Sequence, residues 1–233
     1  MPSFKYNILC TRPLDSMLIY KAANKGISID EVSFVETEAI ITTDIIEKIK
    51  NIATKKATVV FTSMNAVDAV TAQLTQIPDW KIFCVGGVTK ETVFNFFGEK
   101  SVEGTAKNAK MLAEKIILTG ESKEVFFFCG DQRLDELPET LNANDIKVNE
   151  VIVYTTRLIP NFIVKNYDGI IFFSPSAVHS FFSDNTIATS VVLFSIGTTT
   201  TATIKTYCTN KIITSEWPGK ENMIDLVLDY YKT

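Results

Sequence analysis

The sequence predicts an α/β protein made of two doubly wound, parallel-sheet domains of flavodoxin-like type, and two observations carry that expectation. The first is alternation: short apolar runs such as VFFFC, GIIFF and VVLFSI are separated by helical patterns along almost the whole chain. Continuously apolar runs suit strands buried on both faces, and strands alternating with helices suit a parallel sheet. The second is repetition. Residues 60–67 read VFTSMNAV and residues 171–178 read IFFSPSAV. A second apolar run follows each and ends in glycine and threonine, as FCVGGVTKET and LFSIGTTTTAT. Ser63 stands 23 residues before Gly86, and Ser174 stands 23 residues before Gly197. A shared two-part register marks an internal duplication.

Element by element, strands are expected over 6–10, 32–35, 58–61, 81–85, 125–129, 149–154, 169–173, 191–196 and 211–214, where apolar and β-branched residues cluster between turn signals. Helices are expected over about 14–24, 44–53, 66–76, 90–97, 107–118, 133–142, 177–182, 200–208 and 220–231 from apolar residues at helical spacing. The opening of each half also matches: ILCTRPLDSMLIYKAANKGISIDEVSFVET parallels FFFCGDQRLDELPETLNANDIKVNEVIVYTT. Strands near 32–37 and 151–156 have similar ends and can pair as a linker. The first domain would then be discontinuous, residues 1–35 with 157–233, and the second would be residues 36–153. Two sequential domains split near Thr119-Gly120 fit the pattern as well, and the pattern alone leaves both open.

The composition narrows the function. A 46% apolar content suffices for two cores, and the net charge of −4 argues against a general nucleic-acid binder. No apolar run reaches the ~18 residues of a membrane helix, and MPSFKYNILC leads straight into a strand, so a cytoplasmic protein is expected. Nothing points to an oligomer, so a monomer is expected. Cys10, Cys84, Cys129 and Cys208 lie far apart without C-x-x-C spacing and read as buried, reduced thiols.

Ligands of open α/β sheets bind beyond the carboxyl ends of the strands, where first-turn amides face anions. Six such turns are expected, after Cys10, Phe61, Val85, Cys129, Phe173 and Ile196. They carry Thr11 and Arg12; Thr62 and Ser63; Gly86 and Gly87; Gly130 and Asp131; Ser174, Pro175 and Ser176; and Gly197, Thr199 and Thr200. Any one hydroxyl is explained by ordinary helix capping. Two sets of three turns suggest a ligand with many anionic groups, held in a cleft between the two domains. Arginine is scarce, which draws attention to Arg12 as a carboxylate contact. His179 is the single histidine and reads as a helix-surface residue; no phosphate loop or dinucleotide fingerprint is present, so no metal or cofactor is expected. Tyr154 ends the strand VIVY at the crossover, where a phenol can give a proton to a leaving hydroxyl.

These pieces, in this order, resemble the uroporphyrinogen-III synthase family: ILCTRP, VFTSMNAV, Val85-Gly86-x-x-Thr89, NAKMLAEKI, the Cys129-Gly130 turn, VIVYTT, IIFFSPSAV and Ile196-Gly197-x-x-Thr200. Departures are Lys90 and Thr201, where the family often has alanine, and Leu134, where it commonly has arginine. The resemblance implies a two-stranded linker between the lobes and a small-molecule tetrapyrrole substrate, hydroxymethylbilane, without membrane or nucleic-acid partners. It implies dehydrating cyclisation to uroporphyrinogen III, with inversion of ring D through a spiro intermediate. In that frame Tyr154 is the proton donor and Thr200 assists in orientation. Arg12, Thr62, Ser63, Gly86, Gly130, Asp131, Ser174, Pro175, Ser176, Gly197 and Thr199 grip substrate carboxylates. The competing expectation is a non-enzymatic two-lobe binding protein for a polyanionic small molecule.

Overall fold

The structure is a computed structural model and describes residues 4–232. From the N-terminus the elements are β1 (Tyr6–Cys10), α1 (Ser16–Ala23), β2 (Ile27–Glu31) and β3 (Val35–Ala39). Next come α2 (Thr43–Ala53), β4 (Ala57–Phe61), α3 (Met64–Thr71), β5 (Trp80–Val85), α4 (Val88–Phe97) and β6 (Val102–Ala106). These are followed by α5 (Ala109–Thr119), β7 (Glu124–Gly130), α6 (Glu136–Asn142) and β8 (Lys147–Leu158). The remainder is β9 (Gly169–Phe172), α7 (Pro175–Asp184), β10 (Val192–Ser195), α8 (Thr198–Lys205), β11 (Ile212–Thr214) and α9 (Lys220–Tyr230).

Two compact units result. Unit 1 is Met1–Glu36 with Arg157–Thr233, and unit 2 is Thr37–Thr156. The chain passes from one to the other within β3 and returns within β8, and these two strands are sheet neighbours.

In unit 1 the sheet order is β2-β1-β9-β10-β11, with every pair parallel. In unit 2 it is β8-β7-β4-β5-β6, again parallel, with β3 added beside β8. The spatial orders correspond strand for strand. Unit 1 read from its own first strand is the 2-1-3-4-5 order of the flavodoxin-like fold. Unit 2 is the same sheet entered at its third position, a circular permutation of the duplicated unit. This places the topological switch point between β1 and β9 in unit 1, and between β7 and β4 in unit 2.

Both sheets are covered on both faces, which explains the continuously apolar strands. In unit 2, Val59 and Phe61 of β4 pack with α2, α3 and α4 residues such as Ile49, Val67 and Phe97, while Val60 packs on the other face with Leu112 and Ile116 of α5 and Leu137 of α6. In unit 1, Ile8 and Cys10 of β1 pack with Leu18 of α1 and Ile224 and Val227 of α9, while Leu9 packs with Phe34, Val178 and Phe181 of α7 and Ile204 of α8. Phe61 stacks on Phe128 with ring centroids 5.6 Å apart. Truncating either ring to alanine costs about 3–5 kcal/mol in a core of this kind.

Three strands depart from the sequence expectation. The linker strand expected near 32–37 is β3, displaced to Val35–Ala39. β2, Ile27–Glu31, is unexpected, because Ile27 is its one fully buried side chain and Ile29 is half-buried, an alternation too short to register. β6 has no expected counterpart, because Gly104 at its centre weakens the strand pattern. The glycine is there for packing: a Cβ at Gly104 would lie 2.9 Å from the Phe83 ring.

Candidate functional site

In unit 2 the site grows from the end of β7. The ladder between β7 and β8 runs in register to Cys129 and Ile152, then shifts so that Gly130 faces Tyr154. Such irregularities re-aim the side chain that follows. Here the phenol ring lies over the glycine: a Cβ on Gly130 would come within 2.4 Å of Tyr154 Cζ and 2.7 Å of its hydroxyl oxygen. Only a residue without a side chain permits this stacking. The Ser63 side chain lies beside the same phenol and favours its ionised form. Ser63 is itself fixed as the N-cap of α3, where its Oγ accepts from the Asn65 N–H at 3.2 Å. Burial pushes the Tyr154 phenol above its ordinary range, Ser63 opposes this, and Cys129 and Asp131 add to the rise. The hydroxyl carries its proton at neutral pH, as any phenol does, and burial makes it a weaker acid than usual. Beside it opens a cavity of about 260 Å³, lined by Tyr154, Thr37, Glu38, Asn65, Asp68 and Gln73 among others.

The other turns of unit 2 differ from one another. Gly86 donates its N–H to Ala106 O at 2.8 Å, so its amide is spent within the sheet. The N-cap of α4 is Gly87 at φ 70°, a left-handed conformation that favours glycine. The Gly-Gly pair is the sequence signal for it, but the second glycine takes the capping place. Thr62 is half-buried just before Ser63. After Cys129 the expected helix start at 133 moves to Glu136, with Asp135, Glu136 and Glu139 around its first turn. An acidic start of that kind repels a carboxylate. Asp131 is engaged with β8: its N–H donates to Tyr154 O at 3.1 Å and its Oδ1 accepts from the Thr156 N–H at 2.8 Å. Arg133 is held by Glu150 and Asp135.

In unit 1 the equivalent positions carry different chemistry. Thr11 follows Cys10 as Gly130 follows Cys129; it is buried, and both its N–H and its Oγ1 donate to Ile171 O, at 3.1 and 2.8 Å. Arg12 lies half-buried with its guanidinium 5.3 Å from the centre of the Phe173 ring, at the switch point. Phe173, which precedes the capping serine, is absent from the sequence-predicted site. Ser174 caps α7 by accepting from Ala177 N–H at 3.1 Å, and Pro175 takes the first helical position, where its missing N–H costs nothing. Ser176 is half-buried in that same turn. Gly197 precedes α8; Thr199 is exposed, whereas Thr200 is 3% exposed and presents little surface to a ligand. His179 is on the exposed face of α7, with Nδ1 2.7 Å from the Tyr207 hydroxyl.

The structure thus brings Tyr154, Gly130 and Ser63 together in unit 2, and Arg12 and the Phe173-Ser174 turn together in unit 1. Among the described residues, no three of His, Cys, Asp and Glu are grouped as a metal-ligand set. No described helix is long and apolar enough to cross a membrane.

A duplicated, permuted pair of parallel α/β sheets with serine-capped helices at both switch points defines the class as a two-unit, flavodoxin-like protein. The family model described as Uroporphyrinogen-III synthase HemD matches residues 18–225, and the chain belongs to the uroporphyrinogen-III synthase family. These are cyclising lyases of tetrapyrrole and heme biosynthesis. Solved structures agree in fold. Uroporphyrinogen-III synthetase from Helicobacter pylori 26695 is 16% identical with a TM-score of 0.67, covering 97% of this chain and 99% of that one. A mutant uroporphyrinogen III synthase from Thermus thermophilus is 11% identical with a TM-score of 0.66, covering 97% of each. No curated protein matches the chain significantly.

Proposed function

We propose that this chain converts hydroxymethylbilane to uroporphyrinogen III, with Tyr154 as the proton donor that starts the reaction. The observation that carries this reading is the phenol set over Gly130 and beside Ser63. The phenol proton passes to the terminal hydroxyl as the carbon–oxygen bond breaks; its electron pair leaves with water, and the adjacent pyrrole nitrogen supplies electrons to form the azafulvene. Loss of a proton from that nitrogen restores the phenol. The substituted carbon of ring D then attacks, giving the spiro intermediate, whose fragmentation and reclosure invert ring D. The substrate carries its own reactivity, so the protein's contribution is orientation plus one proton transfer.

Arg12 and the turns at Thr62-Ser63, Ser174-Pro175-Ser176 and Gly197-Thr199 are the proposed grips for the substrate's carboxylates; two caps and a stacked guanidinium support this. The spent amide of Gly86 favours its neighbour Gly87 for that role, and the burial of Thr200 favours orientation of its helix over direct contact. The cavity beside Tyr154 has no lysine or arginine in its lining but carries Glu38 and Asp68. It suits a pyrrole ring with its N–H edge, and it would repel the acidic side chains. The reading extends to a monomer working in the cytoplasm: each copy carries both units, and four free cysteines suit a reducing compartment.

The test is an isomer assay with hydroxymethylbilane generated in situ, followed by oxidation and separation of uroporphyrins I and III. Type III product is expected; type I alone, from folded protein, overturns the reading.

A further inference from the structure

We propose that Asp131 is a positioning residue for Tyr154, latching the end of β8 to the turn after β7 so that the phenol stays over Gly130 and against Ser63. The inference rests on the proton-donor reading and deepens it. The β7–β8 ladder gives out at the Gly130–Tyr154 pair, although β8 continues to Leu158. Beyond that pair the turn after β7 takes over the bonding on this edge of β8, while β3 lies beside its other edge. Asp131 N–H donates to Tyr154 O at 3.1 Å, Asp131 Oδ1 accepts from Thr156 N–H at 2.8 Å, and Gln132 Nε2 donates to Thr156 O at 3.0 Å. The backbone is thus tied on both sides of Thr155, immediately after the tyrosine. A carboxylate accepting from a backbone N–H makes a charge-assisted bond, stronger than a neutral one.

The duplicated unit supplies the contrast. Two residues beyond Cys10 unit 1 has Arg12, where unit 2 has Asp131 two residues beyond Cys129, and residues 27–36 of unit 1 contain no tyrosine. The acid accompanies the phenol. A carboxylate at this place would repel the anionic side chains of the substrate, so the latch replaces substrate binding as the role of Asp131. Its negative charge also helps keep the phenol protonated.

The experiment compares full-length wild type, Asp131→Ala, Asp131→Asn, Tyr154→Phe and the Asp131→Ala/Tyr154→Phe pair, measuring kcat and KM for type III formation and hydrogen exchange at the Thr156 amide. Asp131→Ala is expected to lower kcat about 10-fold with little change in KM and to speed Thr156 exchange. Asp131→Asn retains an acceptor oxygen and is expected to recover most of the rate and the protection. In the Tyr154→Phe background, Asp131→Ala should cost no further rate, because it acts through the phenol. A raised KM with unchanged kcat, or an equal further loss without the phenol, overturns the proposal. Tyr154→Phe at full rate would instead remove the proton-donor reading, and unchanged Thr156 exchange in Asp131→Ala would remove the latch itself.

Discussion

Units 1 and 2 are the same sheet, β2-β1-β9-β10-β11 against β8-β7-β4-β5-β6, yet their switch points have diverged in opposite directions. In unit 1 the residue after the cysteine is Thr11, buried and donating to Ile171, and the next is a cation stacked on Phe173. In unit 2 the residue after the cysteine is Gly130, which makes room for the Tyr154 ring, and the next is the acid that ties down β8. One copy has a threonine bonded into its own sheet, followed by an arginine suited to holding an anion. The other gave up a side chain to admit a phenol. The lesson is that duplication supplies matching capped turns, and function enters where equivalent positions stop matching.

That division of labour can be broken in unequal steps. The largest effect is expected from Tyr154→Phe, which removes one oxygen and keeps the packing: kcat should fall by about 100-fold or more, as for loss of a general acid. The wild-type rate should show no loss from phenol ionisation below about pH 10, because burial raises this phenol above 10.0; a pH–rate profile checks both the sign and the range. Arg12→Ala comes next. It should raise KM about 10-fold, the value of a charged carboxylate contact, with kcat largely kept, as read from steady-state kinetics. The smallest effect concerns the cysteines. Burial pushes the Cys10 and Cys129 thiols up to about 12 and the Cys84 thiol up to about 11. A thiol reagent at pH 8 should therefore label native protein at half-buried Cys208 first, with the other three reacting after denaturation; mass spectrometry of labelled peptides decides it.

Much of this is legible in the sequence, because periodicity reports burial directly. VFFFC, GIIFF and VVLFSI are strands with both faces covered, and Ser63 and Ser174 are the caps their pattern suggests. The permutation is half visible, as a matching order of motifs; strand order requires pairing, which composition does not encode. At the site, residue types can be read but not their commitments. Gly86 and Asp131 look like ligand-facing turn residues, and their hydrogen bonds turn out to be spent on Ala106, Tyr154 and Thr156. The role of Gly130 depends on a register shift in β8, and nothing in a run of letters marks which residue will face a glycine across a sheet. The acidic start of α6 is visible as Asp135, Glu136 and Glu139, but the sequence pattern puts the helix start too early to give those charges their meaning.

The most direct test sets the two units against each other in one assay: the product isomers formed by Tyr154→Phe and by Arg12→Ala as the hydroxymethylbilane concentration is raised. The account predicts that Arg12→Ala returns to type III product at high substrate, while Tyr154→Phe gives mainly type I at every concentration because the free bilane closes first. Full type III production by Tyr154→Phe, with Arg12→Ala failing even at high substrate, would contradict it and move the chemistry to unit 1.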